Sequence, residues 1–438
     1  MHLSDKTNAS NLSRQLITAT GGLNWVKENT AMLIVHGIGN QQPLETLDSF
    51  GRGLIRAYET SGAGRLTIEH HLAKKSSPDG SKPWFDNFIR IKAEGRDEPY
   101  IDLYEYYWAK YTEDQATLND LRIWLRDVVS GAKKFYCENA ALAQQVKDKS
   151  IFIVDGKLDP ERYELFLGAV GNLLFAVDAA VQGFLKFVSY VPFIGPVATS
   201  WLESYLELDW REVLNVVNEV AIYNTMDARS EFFDVRERIL DGAVNAVRYL
   251  MEPDEGGIEP RYPKILLAGH SLGSQIIFDS INRLDHLVNE GMLNGFTAGG
   301  MYRQGKEERK AVTLFAGLVT FGSPLDKIAF FFREQADRGD YIRAQLLNNF
   351  HSFKQRKWLT DDQSEIREHP IAAPFPRLFD AMKWNNYFDR HDYVSGSLDY
   401  YQGVTNVNCE FKKGWFTHSN YWDCDKFYED FWRDMVGK

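Results

Sequence analysis

One stretch of the chain constrains the fold more than any other, because it combines a buried strand, a tight turn and the start of a helix. Four apolar residues occupy 265–268, and the serine motif Gly269-His-Ser-Leu-Gly273 follows at once. Residues 275–278 then read as the start of a helix. A serine at such a corner projects its hydroxyl from the end of a sheet, and its flanking residues must be small where strand and helix meet. We therefore expect Ser271 to be a nucleophile.

Composition and charge exclude several classes of protein. The 438 residues are 44% hydrophobic and 25% charged, so a large core is possible and disorder is not expected. The formal charge is −11 and no basic run stands out, so nucleic acid is not an expected partner. Three cysteines, Cys137, Cys409 and Cys424, are too few and too irregularly spaced for a disulfide framework or a zinc site. They favour a reducing compartment, and we expect no cofactor.

The N-terminal residues bear on where the protein works. Residues 1–10 are polar, and no apolar segment follows a basic start, so a secretory signal peptide is not expected. The sequence thus favours a cytoplasmic protein, while export by a route that needs no such signal stays open.

Apolar strand-like runs alternate with helical patterns along much of the chain. The runs 31–35 and 311–321 each end in a glycine-containing turn, as the run before Ser271 does. This alternation predicts an α/β fold, with a mostly parallel sheet and helices on both faces. Ligands of such sheets bind beyond the carboxyl ends of the strands, which is where the motifs lie. The glycine-rich, charged residues 295–310 are expected to form an exposed loop.

The pattern divides the chain into three parts. Residues 1–111 and 219–438 carry the alternation and are interpreted as the two parts of one core. Residues 112–218 are a large helical insert, in which 165–202 is apolar except for Asp178 and Lys186. Neither half of this apolar stretch is a clean run of the ~20 apolar residues that a membrane helix needs. Two interpretations stay open, a buried helical cap or lid and a hairpin that contacts a bilayer, because so large an apolar surface must be covered.

A serine hydroxyl needs a base, and four histidines lie beyond the serine-bearing helix: His351, His369, His391 and His418. Hydrolases that carry their serine on such a corner have the chain order serine, acid, histidine, which places the base late. His418 follows the strand-like run 404–411 and precedes the last predicted helix. We therefore expect His418 to be the base.

The carboxylate that orients this base should follow the preceding strand. Asp389 and Asp392 both do, and since they are three residues apart, only one of them is expected to face the histidine. Asp326, just after Gly322-Ser-Pro324, is a third candidate. A carboxylate that is not used in this way is expected to cap its own turn.

The developing oxyanion needs backbone donors. One is the amide of Leu272, the residue after the nucleophile. The other is expected from the loop His36-Gly-Ile-Gly39, where Ile38 or Gly37 would donate and glycine allows the N–H groups to point into the site. The histidines His36 and His270 adjoin strand ends and are expected to support loop geometry.

These motifs together resemble the α/β-hydrolase superfamily, and they are most similar to intracellular serine lipases and phospholipases, some of which have a Val-His-Gly-Ile-Gly loop. The resemblance covers 31–108 and 219–438. It implies a triad of Ser271, Asp392 and His418, with Asp392 preferred because Asp392-Tyr-Val394 resembles the Asp-Pro-Val turn that carries the acid in many lipases. The metal-binding C-terminal domain of some such phospholipases has no convincing counterpart here, so no metal is implied.

The expected activity is hydrolysis of a carboxylester of a lipid through an acyl-enzyme, with possible membrane contact through 165–202. A soluble ester or thioester is the alternative substrate, and a non-catalytic membrane-binding protein on a hydrolase fold is a third hypothesis. The sequence does not determine the lipid head group or the oligomeric state.

Overall fold

The computed structural model describes residues 23–37, 42–72, 87–112, 153–154, 157–158, 223–224, 231–326, 328, 377–390, 392, 394–398, 401, 403–411 and 417–436. In chain order the strands in these ranges are β1 (Thr30–Val35), β2 (Leu66–Leu72), β3 (Asn87–Ala93), β4 (Tyr100–Tyr106), β5 (Ile153–Val154), β6 (Lys157–Leu158), β7 (Lys264–His270), β8 (Phe296–Thr297), β9 (Met301–Gln304), β10 (Glu307–Lys310), β11 (Phe315–Phe321), β12 (Trp384–Phe388) and β13 (Val404–Asn408). The α-helices there are α1 (Glu45–Thr60), α2 (Glu231–Met251), α3 (Leu272–Asn289), α4 (Leu378–Ala381) and α5 (Asp425–Phe431).

Eight of these strands form one mixed sheet, in the order β13-β12-β11-β7-β1-β4-β3-β2. The six strands from β13 to β4 are parallel to one another. The strand β3 pairs antiparallel with both β4 and β2. The predicted mostly parallel sheet is therefore confirmed. Its carboxyl-terminal edge gathers the residues that follow β1, β7, β11, β12 and β13.

The chain reverses its direction across the sheet between β1 and β7. The strands that follow β1 in the chain, up to β4, lie on one side of it. The strands that follow β7 in this sheet, β11, β12 and β13, lie on the other side. Open sheets bind their ligands beyond the carboxyl ends of the strands at such a reversal. Ser271 follows β7 and His36 follows β1, so both lie at this position.

Helices cover both faces of the sheet, because successive side chains of a strand point to opposite faces. From β1, Leu33 and Val35 belong to the core cluster that includes Ile239 of α2 and Ile276 of α3. The intervening residues of β1 belong to a second cluster, which contains side chains of α1 and α5.

The prediction of an exposed loop at 295–310 is wrong. These residues contain β8, β9 and β10, which pair as a three-stranded antiparallel sheet. Positive-φ glycines, Gly299, Gly300 and Gly305, make the two connections. The strands are short and all four side chains of β10 are exposed, so they lack the apolar alternation by which a strand is recognised.

The predicted helical insert 112–218 lies outside the described residues, apart from Thr112 and the two-residue strands β5 and β6. Its apolar part, 165–202, is entirely outside them. Among the helices that are described, none is long and apolar enough to cross a membrane.

Candidate active site

Ser271 occupies the corner between β7 and α3 in a backbone conformation that L-residues rarely adopt. Its φ is 51° and its ψ is −129°, and only Leu44 and Glu410 share a positive φ among the described non-glycine residues. The side chain is 1% exposed, and Oγ has no hydrogen-bond partner within the described part of the chain. Residues with strained backbone conformations cluster at functional sites. Such a conformation persists only where the surrounding structure enforces it.

The glycines around Ser271 are required by close backbone packing. A Cβ at Gly269 would lie 2.6 Å from Cα of Ser274, and a Cβ at Gly273 would overlap the carbonyl oxygens of Val35 and His36. The helix that follows the serine is thus pressed against both β7 and the end of β1. This close approach is the physical reason for the glycine spacing in the sequence motif.

The segment after β1 passes directly beside Ser271. A Cβ at Gly37 would lie 2.5 Å from Cβ of Ser271, which is too close for any side chain. Leu272, the other predicted donor residue, is buried at the first position of α3. Ile38 and Gly39 lie outside the described residues, so their predicted part in an oxyanion hole remains a prediction.

His36 is held by Trp108 and does not face the serine as a base. Its Nε2 accepts a 3.0 Å hydrogen bond from the backbone N–H of Trp108, while its Nδ1 donates to the carbonyl oxygen of Gly37 at 2.7 Å. The indole N–H of Trp108 donates to the His36 carbonyl at 2.9 Å, and the two rings are stacked. Burial lowers the pKa of His36 to about 4, although the bond to Gly37 opposes this. A neutral imidazole therefore anchors the start of this loop.

Glu105 anchors the other end of the same loop. This buried side chain of β4 accepts a 2.6 Å hydrogen bond from the N–H of Leu44, just before α1. Burial raises the pKa of the Glu105 carboxyl to about 7, against the lowering effect of hydrogen bonds from Leu44 and Thr46. The N-terminus of α1, which favours negative charge, also opposes this rise.

His418 and Asp392 come together although they lie on different loops. Nδ1 of His418 donates to Oδ2 of Asp392 at 2.9 Å. Oδ1 of the same carboxylate accepts from the N–H of Val394 at 2.9 Å. The bond leaves Nε2, on the opposite side of the imidazole, as the remaining nitrogen for proton transfer.

Tyr421 completes the surroundings of this carboxylate. Its hydroxyl donates to Oδ2 of Asp392 at 3.0 Å and lies 2.8 Å from Oγ of Ser395. Burial acts to raise the pKa of Asp392, but the hydrogen bond and charge of His418, with the bonds from Val394 and Ser395, lower it to about 2. Asp392 is therefore ionised at neutral pH.

Residues 321 and 322 lie between Ser271 and His418. The N–H of Ser271 donates to the carbonyl oxygen of Phe321 at 3.0 Å. Gly322 has a φ of 62°, and a Cβ there would lie 3.0 Å from Cε1 of His418. The turn after β11 thus contacts both the serine and the imidazole, and a side chain at position 322 would push against the latter.

His270 packs on His418 and shares its surroundings. The ring centroids are 4.9 Å apart, and Nε2 of His270 lies 3.3 Å from the carbonyl oxygen of His418. Burial, helped by the neighbouring His418, lowers the pKa of His270 to about 3. A neutral ring can donate from Nε2 to that carbonyl, which supports the segment that carries His418.

The two alternative acids occupy other places. Oδ2 of the fully buried Asp389 accepts a 2.6 Å hydrogen bond from the N–H of Phe411, and its own N–H lies 3.4 Å from Oγ of Ser395. Asp389 thereby ties the loop after β12 to the loop after β13. Asp326 is buried in the turn after β11.

Two residues of the site carried no signal in the sequence. Tyr421 lies in the 3₁₀ turn Asn420–Asp423, and its spacing of three from His418 is informative only when that turn is known. Trp108 ends the aromatic run after β4, and its contact with His36 follows from the parallel pairing of β4 with β1.

No protein-family model, curated protein or solved structure matches this chain. Within the described ranges, no group of three or more His, Cys, Asp and Glu side chains could hold a metal ion.

Proposed function

We propose that this protein is a serine carboxylester hydrolase that works through an acyl-enzyme. Ser271 is the nucleophile, His418 is the base, and Asp392 orients His418. The observation that carries the proposal is the His418–Asp392 hydrogen bond of 2.9 Å at the same sheet edge where Ser271 is held in a strained conformation. Serine activation needs a base and an orienting carboxylate beside the nucleophile, and this pair at the edge that carries Ser271 supports such an arrangement.

In the first half of the reaction, Oγ of Ser271 bonds to the ester carbonyl carbon and Nε2 of His418 takes the hydroxyl proton. The protonated imidazole then gives that proton to the leaving alkoxide, which departs as an alcohol. In the second half, water attacks the acyl-enzyme by the same proton transfers and releases the acid. Asp392 stays ionised throughout, as its lowered pKa of about 2 favours.

The unpartnered hydroxyl of Ser271 is compatible with this role. Hydrogen bonds between nucleophile and base are often long or poorly aligned before substrate binds. The turn 321–322 lies beside both residues, since Phe321 accepts a hydrogen bond from the N–H of Ser271 and a Cβ at Gly322 would lie 3.0 Å from Cε1 of His418.

Oxyanion stabilisation comes from the amide of Leu272 and from the loop that begins at Gly37. The amide of Leu272 belongs to the N-terminal turn of α3. The N–H groups of a first turn lack carbonyl partners within the helix, so they favour negative charge. For the second, the close approach of Gly37 to Ser271 supports a donor at Gly37 or Ile38. The mixed eight-stranded sheet with its site at the chain reversal further supports membership of the α/β-hydrolase superfamily.

For the substrate, we propose the ester of a lipid. Support comes from the apolar stretch 165–202, for which contact with a membrane or acyl chain is the proposed role. The described residues on both sides of the segment 113–222 also lie near the site. Trp108 bonds His36, and the Asn224 side chain exchanges two amide hydrogen bonds, of 2.6 and 3.2 Å, with Gln275, one turn beyond Ser271. A cytoplasmic location with membrane contact belongs to the same proposal.

A comparison of wild type with Ser271→Ala tests this function, and Ser280→Ala is a matched control. Ser280 also lies on α3, where its buried Oγ donates to the carbonyl of Ile276 at 2.7 Å. Wild type and Ser280→Ala should react with a fluorophosphonate probe and release fatty acid from phospholipid or glyceride vesicles. Ser271→Ala should do neither, with turnover lower by about three orders of magnitude or more.

Each alternative predicts a different outcome. Probe labelling with turnover of only short soluble esters or thioesters would contradict the lipid substrate and support a soluble esterase. Folded wild-type protein that the probe does not label would contradict the nucleophile itself and support a non-catalytic role.

A further inference from the structure

Two of the three cysteines bracket the segment that carries His418. Cys409 is the residue after β13, and Cys424 is the residue before α5. Between them lie His418 and Tyr421, which both donate to Oδ2 of Asp392. Cys409 is buried and Cys424 is partly exposed, and both are free thiols.

The two cysteines are neighbours at the edge of the core. Cys424 packs against the core cluster to which Cys409 belongs, and each thiol shifts the pKa of the other. Neighbouring groups hold the same two backbone segments together. Nζ of Lys426 donates to the carbonyl oxygen of Asn408 at 3.0 Å, and the rings of Phe411 and Tyr421 meet edge to face at 4.9 Å. The base of the loop 409–424 is therefore closed by several contacts.

The environment of the pair favours one thiolate. The hydrogen bond from Cys409 lowers the pKa of Cys424 to about 7, with burial acting against it and Lys426 and the N–H of Phe427 acting with it. The same hydrogen bond, together with burial, raises the pKa of Cys409. The thiolate, not the thiol, is the reactive form of cysteine.

We propose that Cys409 and Cys424 form a modification site, at which a hydroperoxide converts the dithiol into a disulfide. The proposal goes beyond the proposed hydrolysis and does not depend on it. Reduced cysteines are the resting state that a reducing compartment maintains, and disulfides formed there are usually transient.

The reaction balances in two steps. The Cys424 thiolate attacks one oxygen of hydrogen peroxide and the O–O bond breaks, which gives a sulfenic acid and hydroxide, and a proton converts the hydroxide to water. The sulfur of Cys409 then attacks the sulfenic sulfur, its S–H proton leaves with the hydroxyl as a second water, and the S–S bond forms. The two thiols lose two electrons and the peroxide gains them. A thiol reductant reverses the change by exchange.

Peptide mapping by mass spectrometry of the folded full chain tests the site. After brief treatment with a few equivalents of hydrogen peroxide, wild type should yield a linked peptide pair containing Cys409 and Cys424, which dithiothreitol separates. Cys409→Ser should instead carry a sulfenic acid on Cys424 that dimedone traps. Cys424→Ser should leave Cys409 reduced, because the buried thiol lacks the reactive partner.

Two results would overturn the proposal. One is a wild-type protein in which Cys424 is oxidised and no linked pair forms. The other is oxidation of Cys409 in Cys424→Ser at the wild-type rate. Circular dichroism of each variant confirms that folded protein is compared.

Alkylation kinetics provide a second measurement that needs no oxidation. In wild type the iodoacetamide rate at Cys424 should rise with a midpoint near the pKa of about 7. Cys409→Ala removes the hydrogen-bond donor, so the rate at pH 7 should fall about tenfold, whereas Cys409→Ser keeps a donor and should stay closer to wild type. Equal rates in wild type and Cys409→Ala would show that the thiols do not interact.

A consequence for turnover rests on the proposed function. A disulfide fixes a sulfur separation of about 2.05 Å, so it would tie the two ends of the His418 segment together. Peroxide should then reduce ester turnover of wild type reversibly and leave Cys424→Ser unaffected. If the linked pair forms but turnover is absent throughout, the hydrolase proposal fails and the modification site stands.

Discussion

The hydroxyl of Tyr421 donates a 3.0 Å hydrogen bond to Oδ2 of Asp392, the oxygen that also accepts the 2.9 Å bond from His418. One short segment, 418–421, thus presents both donors to a single carboxylate oxygen. Because the oxygen is shared, we infer that Tyr421 helps to set the direction in which His418 bonds Asp392. Tyr421 is then a positioning residue for the imidazole.

Tyr421→Phe keeps the ring and removes this bond. We expect kcat to fall about tenfold, since hydrogen bonds to charged groups are worth about 1.5–3 kcal/mol and only part of this orients the imidazole. KM should change little, because the hydroxyl is buried behind Asp392. Steady-state kinetics with a chromogenic ester measure both quantities. A variant with unchanged kcat would show that His418 and Asp392 align without Tyr421.

Asp392→Asn and Asp389→Asn are a matched pair. The first should lower kcat by about 10³–10⁴, because an amide cannot stabilise the imidazolium and favours the wrong tautomer. The second retains an oxygen that can accept the N–H of Phe411, so its kcat should stay within about an order of magnitude of wild type. The opposite ranking would identify Asp389 as the orienting acid.

Ser271→Gly and Ser271→Ala should differ in stability although neither can turn over ester. The conformation at φ 51° is strained for alanine and relaxed for glycine. Such strain is worth about 1–3 kcal/mol and the greater freedom of unfolded glycine offsets part of it, so the glycine variant should have the higher free energy of unfolding by about 1 kcal/mol. Denaturant unfolding measures the difference, and a less stable glycine variant would contradict the strain.

Gly37→Ala should disrupt the site, because its Cβ would lie 2.5 Å from Cβ of Ser271. We expect turnover to fall about 100-fold, the effect of displacing a reacting group by about an ångström. Gly51→Ala is the control, since its methyl group would meet only Cδ2 of Leu103, at 3.4 Å. That variant should keep full turnover and gain about 0.5–1 kcal/mol of helix stability. Full turnover in Gly37→Ala would mean that the loop can withdraw from Ser271.

Glu105→Gln should change how stability depends on pH. In the folded state the pKa of Glu105 is raised from 4.5 to about 7, so the folded state binds the proton more tightly. Its contribution to stability is fully present below pH 4.5 and is lost as the pH rises through about 7. Relative to the glutamine variant, the free energy of unfolding of wild type should therefore fall by about 3 kcal/mol between pH 4 and 8. Unfolding free energies across this range measure the loss, and a constant difference between the proteins would contradict the raised pKa.

Local patterns predicted much of the fold because they report burial directly. The apolar runs before His36 and Ser271 became β1 and β7, neighbours at the centre of a mostly parallel sheet. The three short strands in 295–310 were missed because they have only two or four residues each and β10 is exposed throughout, so no apolar period marks them.

The pairing within the candidate site needed the structure. Asp389 and Asp392 both follow β12, and only a resemblance favoured Asp392. In the structure Asp392 bonds His418 and Asp389 bonds the backbone of Phe411. Tyr421, Trp108 and Glu105 were not predicted at all. Their roles depend on which loops lie side by side, and loop neighbours are set by strand order.

The sequence by itself determined the strand–turn–helix corner at Ser271, because the glycines at 269 and 273 and the apolar runs around it respond to neighbours only a few residues away. Tertiary structure decided between Asp392 and Asp389 as the partner of His418, and it brings Cys409 and Cys424 to one core cluster across the loop between them. These contacts join residues that are distant in the chain, and their geometry follows from sheet order and packing of many side chains together. A short stretch of sequence therefore does not reveal them.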